Sequence, residues 1–273
     1  MPTVNPTYPA DDTTADVADY NVIIQAILAV FNGGIDADNL ADDAVTTPKL
    51  DDDAVTGAKI ADGAAPFLRA TRYYTSSTTW TKPSGMTDNG YVVVKALGGG
   101  GGGGGSGTAG AVGGGGGGGG MAIKRIAAAS LGATETVTIG AAGSGGASGN
   151  NAGSAGGNTT FGSHCTGTGG GGGAAGSGSF DASNGGVPTS GDLNLTGGHG
   201  GARNIAAATG TTKGGDAPLG YGFGGAIRAQ NNSSSAGQAG SGYGSGGGGG
   251  HKVSSSTTGT DGKAGLLIVE EWY

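Results

Sequence analysis

The sequence predicts a mainly β, fibrous protein with a short N-terminal helix, a repeat shaft built from several chains, and a glycine-rich C-terminal head. Three observations carry this. Apolar residues recur every five positions from Ile35 to Ile60. Glycine tracts follow, eight residues long at Gly98–Gly105 and again at Gly113–Gly120, with shorter runs at Gly169–Gly173 and Gly246–Gly250. Strand-like segments bracket those tracts. Of the 68 glycines only six precede position 98, so the chain divides by composition into 1–34, 35–64 and 65–273.

Residues 1–34 read as an attachment arm and a helix. Prolines at 2, 6 and 9 keep the start extended. Asp11, Asp12 and Thr13 are helix-start residues, and Thr14 to Phe31 holds no Gly or Pro. Val17, Tyr20, Ile24, Ile27 or Leu28, and Phe31 fall at three- and four-residue steps, which marks one apolar face. Asn32-Gly33-Gly34 ends it. A helix this short is marginal alone. Its face needs a partner, and oligomerisation or docking is the expectation over packing on its own domain.

Residues 35–64 repeat. Asp-Asp-Ala-Val45-Thr-Thr-Pro-Lys-Leu50 is followed by Asp-Asp-Asp-Ala-Val55-Thr-Gly-Ala-Lys-Ile60. With Ile35 and Leu40, the apolar positions Leu40, Val45, Leu50, Val55 and Ile60 keep a spacing of five. That spacing fits no single helix face and switches sides along a strand. One chain cannot bury it, whereas several chains around an axis bury one layer per repeat. The alternative is a solvated acidic linker, since residues 1–64 carry twelve acids against Lys49 and Lys59.

The glycine tracts admit three readings: a flexible linker, collagen, or an ordered scaffold. Collagen needs glycine at every third position and much proline; that period is missing and the whole chain has only eight prolines. A scaffold is possible because glycine adopts the extended threefold helix, whose copies pack side by side and bond through their peptide groups. The flanks favour it. Tyr91–Leu97 runs straight into the first tract, Met121–Ile126 follows the second, Glu135–Ile139 alternates, and Leu266–Val269 is a continuous apolar run. Arg69–Tyr74 and Thr79–Lys82 are further strands.

Composition narrows the function. Aromatic content of 5% leaves no large conventional core. Lys124-Arg125 is the only adjacent pair of bases, which argues against nucleic acid as a partner. Cys165 stands alone, so no internal disulfide forms. The N-terminus lacks a basic start and apolar core, so no signal peptide is expected. His164 beside Cys165 is not a metal site without further ligands, and no cofactor motif stands out: glycine tracts match Gly-x-Gly-x-x-Gly trivially. Asp181, Asp192 and Asp216 are the acids that a glycoside-cleaving pair would draw on. The expectation is a protein that is not an enzyme.

The decapeptides at 35–64 resemble the shaft repeats of bacteriophage tail fibres, which implies a homotrimer. Residues 65–273 resemble the glycine-rich heads of phage tail fibres and adhesins. The order carries that resemblance: Thr79-Trp80, the Pro83-Ser-Gly85 turn, a Val-rich strand into poly-glycine, Val137-Thr-Ile-Gly140, Asn158-Thr-Thr-Phe-Gly162, Thr168 with five glycines, and Gly262 to Trp272. It implies a β-sandwich-like head with polyglycine II helices between β-layers, working as a receptor-binding tip. On this reading the protein resides in the virion and is made in the host cytoplasm. Its N-terminus meets a tail or capsid protein, and its head binds a bacterial surface polysaccharide or outer-membrane protein. Tyr221, Phe223 and Tyr243 among glycines, and the amides Asn231 and Asn232, are candidate receptor contacts. The aromatics equally suit gap-filling over the glycine layer, and the amides a solvated loop. Two alternatives stand beside the adhesin: a structural or capsid-decorating fibre without a specific receptor, and a polysaccharide depolymerase. Light scattering tests the shaft: a mass three times the 25.5 kDa chain is expected, and a single-chain mass contradicts it.

Overall fold

The computed structural model describes residues 17–31, 67–176, 182–202, 212–226 and 233–273. The chain divides into two units, 1–61 and 62–273. The shaft positions Leu40, Val45, Leu50, Val55 and Ile60, and the amides Asn231 and Asn232, lie outside the described residues.

In the first unit, α1 spans Val17–Phe31, within the predicted stretch. Tyr20, Ile24, Ile27 and Leu28 are exposed, and so is Val22. Val22 lies on the far side from Tyr20 and Ile24, because two residues turn a helix by about 200°. Only Asp19, Asn21 and Gln25 are polar. The apolar surface is therefore wider than the predicted stripe. Among the described residues no helix is long and apolar enough to cross a membrane.

The second unit is mainly β and antiparallel. Its strands are β1 (Leu68–Tyr74), β2 (Thr78–Thr81), β3 (Tyr91–Leu97), β4 (Met121–Ala127), β5 (Thr134–Thr138), β6 (Thr159–Phe161), β7 (Cys165–Gly167), β8 (Leu193–Leu195), β9 (Gly222–Phe223), β10 (Ser241–Gly242) and β11 (Leu266–Trp272). One sheet runs β1-β11-β3-β4-β8 and another β2-β5-β6-β7; β9 and β10 form a ribbon. Alternation decides what is buried. Val92, Val94 and Ala96 of β3, with Leu267 and Val269 of β11, form one core with Trp80, Val137, Phe161 and Cys165 of the four-stranded sheet. Trp80 meets Phe161 edge-on, with ring centroids 5.5 Å apart. Glu271 also falls on this inner side and is fully buried. Its Oε1 accepts from Trp80 Nε1 at 2.7 Å and Arg72 Nε at 2.6 Å. One carboxylate thus ties β11 to both β1 and β2.

β3 leads directly into the first glycine tract, and the bonding there repeats every three residues. Gly98, Gly101 and Gly104 donate to the carbonyls of Gly120, Gly117 and Gly114. Gly99, Gly102 and Gly105 donate to Gly157, Ser154 and Asn151. Gly100 and Gly103 donate to Lys263 and Thr260. These partners descend in number, so the three neighbours are antiparallel. The tract's own carbonyls accept from three more neighbours, whose numbers ascend. Gly99, Gly102 and Gly105 receive Gly170, Gly173 and Gly176; Gly100 and Gly103 receive Gly143 and Gly146; Gly101 and Gly104 receive Gly247 and Gly250. The first tract is therefore surrounded by six parallel or antiparallel rods, bound through main chain alone.

The second tract has the same environment. Its amides reach Gly250, Gly247 and Gly244, then Ala174, Gly171 and Thr168, then Gly201 and Gly198. Its carbonyls accept from the first tract, from Gly186 at Gly118 and from Gly215 at Gly116. Two hydroxyls complete the set where the rods carry side chains: Ser183 Oγ donates to Gly115 O, and Thr212 Oγ1 to Gly113 O.

A rod with six neighbours has no room for a Cβ on any side. At Gly101 one would overlap the carbonyl of Gly171, at Gly102 that of Ser144, at Gly103 that of Gly248. Outer rods need glycine only where they face inward. Gly140, Gly143 and Gly146 are buried while Ala141, Ala142 and Ser144 are exposed. Gly259, Gly262 and Gly265 donate to Gly146, Gly143 and Gly140 in turn. The sequence showed no glycine period of three along the chain, but one is present locally in these outer rods, one neighbour-facing glycine per turn.

Rod direction gives the body two poles. Segments 98–105, 143–146, 170–176, 198–201 and 244–250 run away from the sheets; 113–120, 151–157, 183–186, 212–215 and 257–263 run back. Among the described residues, the reversals at 106–112, 147–150 and 251–256 each join an outward rod to a returning one and gather at the pole remote from the sheets. The first residues of β1 and β3 and the last of β11 lie together at the opposite pole, where Leu68 pairs with Trp272 and Trp272 with Tyr91.

Position within the lattice sets the cost of a side chain. Gly101→Ala drives a Cβ into backbone, and a loss of about 3 kcal/mol is expected, the upper end for overpacking. At Gly171 the nearest atom to a Cβ is Asn184 O at 3.1 Å, so Gly171→Ala is expected to cost about 1 kcal/mol or less. Denaturant midpoints of the two variants check this; equal losses would contradict six-fold packing at the centre.

Candidate functional site

The remote pole is held together by side chains that reach between loops. Asn150 donates to Thr108 Oγ1 at 2.9 Å and accepts from Gly107 N at 2.8 Å. Lys252 Nζ donates to Gly107 O at 2.5 Å. Ser234 Oγ accepts from the successive amides of Val253, Ser254 and Ser255 at 2.9, 3.0 and 3.1 Å. His251 is buried here, bridging Val112 and Ser235 through main chain. Segments 106–112, 147–150, 233–235 and 251–256 thus make one tied surface. Thr108, Asn150, Ser254 and Ser255 are exposed on it. Its groups are hydroxyls and amides, which suit hydrogen bonding to a polar ligand.

The aromatic candidates from the sequence lie elsewhere. Tyr221, Phe223 and Tyr243 come together on the β9–β10 ribbon, where Phe223 pairs with Ser241 and Tyr243 N donates to Tyr221 O at 3.0 Å. Tyr221 packs against a second apolar cluster of Leu97, Met121, Ala217, Leu266 and Ile268, so it fills space over the five-stranded sheet. Phe223 and Tyr243 are exposed, as is Leu219, which sits at φ 56 in the left-handed region. This ribbon flanks the sheet and is not part of the remote pole.

Asp216 pins the ribbon to its rod. Its Oδ1 accepts from Gly224 N at 2.7 Å and its Oδ2 from Lys213 Nζ at 2.6 Å. Burial pushes this carboxyl up, but the bonds from Lys213 and Gly224 outweigh that and hold it below its ordinary 3.8.

A third arrangement, at the entry pole, was not picked out from the sequence. Tyr91 lies between Trp272 and Arg125. The Trp272 ring is 5.7 Å away and nearly parallel, and the Arg125 guanidinium sits 3.8 Å from the Tyr91 centroid. A cleft of about 570 Å³ opens beside them, lined by Asp88, Asn89, Tyr91, Arg125 and Asp192. Asp192 Oδ2 accepts from Arg125 N at 2.8 Å. The signal was available: alternation along β3 puts Tyr91, Val93 and Lys95 on the side opposite Val92 and Val94.

His164, Cys165, Asp192 and Asp216 have partners within the fold. His164 Nε2 meets Glu135 Oε1 at 3.3 Å. Burial pushes the Cys165 thiol up to about 11, keeping it protonated and inert at neutral pH. Asp192 and Asp216 are engaged as above, and Asp181 lies outside the described residues. Among the described residues no group of three or more His, Cys, Asp or Glu clusters as metal ligands do.

Antiparallel sheets that clamp a main-chain-bonded glycine lattice define a mainly β, glycine-rich domain. A family model described as a glycine-rich domain matches residues 73–271, and the chain belongs to that family. A search of curated proteins finds no match.

A carboxyl held low in the folded state contributes stability above its unfolded value and loses it as the pH falls through the folded one. Unfolding midpoints are therefore expected to drop as the pH is lowered below about 4, and to drop less in Asp216→Asn. Equal pH dependence in the two proteins would contradict the assignment.

Proposed function

We propose that the protein is a phage virion fibre whose glycine-rich head binds a host-cell surface receptor without catalysis. The observation that carries this is polarity. The chain enters the head at one pole, and the tied loops with their hydroxyls and amides gather at the other. A rigid framework that presents loops is a common way to build a binding surface. The shaft supplies a period of five that one chain cannot bury, which supports a homotrimer. The helix, apolar on almost every side, supports burial among its own copies and against a tail or capsid protein, since such helices are buried in their assemblies.

In this reading the head is a β-sandwich-like body with polyglycine II rods, carried at the distal end of the fibre. Its ligand is a bacterial surface polysaccharide or an outer-membrane protein. The exposed polar loops at the remote pole make the first contact. Phe223 and Tyr243 offer ring faces on the flank for a second, with Tyr221 beneath them as support and Asn231 and Asn232 as further candidates. Three heads on one shaft convert weak single contacts into avidity. The chemistry is reversible binding and requires no cofactor.

Replacing Thr108, Asn150, Ser254 and Ser255 together with alanine in the full chain tests this. Binding of the labelled protein to host cells is expected to fall by more than tenfold, while circular dichroism and mass stay unchanged. Undiminished binding by that variant and by Phe223→Ala/Tyr243→Ala would refute an adhesin that works through these surfaces.

A further inference from the structure

We infer that the cleft beside Tyr91 is a saccharide-binding site, which takes a neutral hexose unit through its hydroxyls. The inference needs only the head, and it stands whether or not the remote pole binds a receptor. It starts from the outer face of the five-stranded sheet. Tyr91 opposes Trp272 on β11 and Ala127 on β4, and Val93 opposes Arg125. Tyr91, Trp272 and Arg125 therefore stand on one face. The Arg125 guanidinium, 3.8 Å from the Tyr91 centroid, is held there by the ring. Asp192 is fixed beside it by accepting from Arg125 N. Asp88 and Asn89 come from the turn before β3. Gly90 N closes that turn on Thr87 O at 3.0 Å, and Gly90 O accepts from Ala128 N at 2.9 Å, which anchors the turn to the end of β4. The volume between these groups, about 570 Å³, is that of a small-ligand site.

The lining selects the ligand by what it leaves unspent. Among the described residues, neither the Arg125 guanidinium nor the Asp88 carboxylate enters an ion pair. Asp192 uses one oxygen, Oδ2, on the Arg125 amide. Donors and acceptors thus stand in one cleft without satisfying each other. An anion drawn to Arg125 meets two carboxylates, and a cation drawn to those carboxylates meets the guanidinium. A hydroxyl both donates and accepts. Neighbouring hydroxyls of a sugar can therefore accept from the Arg125 fork and donate to Asp88 and Asp192, with the Asn89 amide serving either role. Ala127 supplies an apolar contact for the carbon skeleton. Hydrogen bonds to charged groups are roughly twice as strong as neutral ones, which lets polar side chains compete with water for such a ligand. Asp88, Asn89, Arg125 and Asp192 are exposed, so the expected affinity is millimolar.

The test is saturation-transfer NMR on the full chain with the methyl glycosides of glucose, galactose, mannose, N-acetylglucosamine and rhamnose. Each is titrated to about 50 mM, ample for a millimolar site. Acetate and methylammonium are the charged comparisons. At least one glycoside is expected to bind, and more tightly than either ion. Arg125→Lys keeps the charge and removes the fork; Asp88→Ala removes an exposed acceptor. Each is expected to weaken that glycoside about tenfold or more, as for a hydrogen bond to a charged group, with circular dichroism unchanged. Binding by the alanine variant of Thr108, Asn150, Ser254 and Ser255 is expected to match the parent. No transfer to any of the five glycosides, tighter binding of acetate or methylammonium, or undiminished affinity in both cleft variants overturns the site. Loss of the sugar in the Thr108, Asn150, Ser254 and Ser255 variant alone also overturns it, and moves the saccharide to the remote pole.

Discussion

The fold depends on the peptide groups of glycine bonding to one another in three directions at once. In a sheet, a chain bonds its neighbours in one plane and its side chains fill the space above and below. In the two eight-residue tracts that space is occupied by more main chain. Every amide of Gly98–Gly105 has a partner, at donor–acceptor distances of 2.8 to 3.0 Å. Buried main chain must be paired in this way, and here the pairing itself is the core. Glycine loses more conformational freedom on folding than any other residue, so each short rod is unstable alone. The antiparallel sheets offset that cost by fixing where rods begin and end: β3 delivers the chain into the first tract and β4 receives it from the second. Gly100 bonds Lys263 near the other end of the sequence. Contacts of such long range imply slow assembly, with little to gain until most rods are present.

Much of this was legible in the residues. The Val-rich run at Tyr91–Leu97 and the apolar run at Leu266–Val269 mark the strands at the centre of the five-stranded sheet. Thr79–Lys82 was readable as a strand, and its Trp80 is buried against Phe161. The long tracts identified the innermost rods because only glycine tolerates six neighbours. The outer rods were less visible. Their signal is one glycine in three, diluted by Ser, Ala, Asn and Thr that face solvent, and such stretches read as loops when taken one at a time. What identifies Gly140, Gly143 and Gly146 is the neighbour they face, which one-dimensional spacing does not supply.

The candidate site was less legible than the fold for a related reason. Tyr221, Phe223 and Tyr243 stood out because they are aromatic residues among glycines, and the ribbon does bring them together. One of the three serves packing over Leu97 and Met121. The polar residues of the remote pole, Thr108, Asn150, Ser234 and Lys252, are ordinary loop residues in sequence. They acquire meaning only because rod direction brings four separate turns to one place. The Tyr91–Trp272–Arg125 stack likewise joins residues from strands far apart in the chain, and no local motif announces it.

Placing the cohesive interactions in main chain also separates what holds the molecule up from what varies at its surface. A turn such as 147–150 sends no side chain into an apolar interior whose shape it must match. Its demands are closure between two fixed rod ends and a few hydrogen bonds to adjacent turns, and lengthening a closed loop costs only about 0.6 kcal/mol per doubling. Such turns can be rewritten in composition and length while the lattice beneath them stays the same.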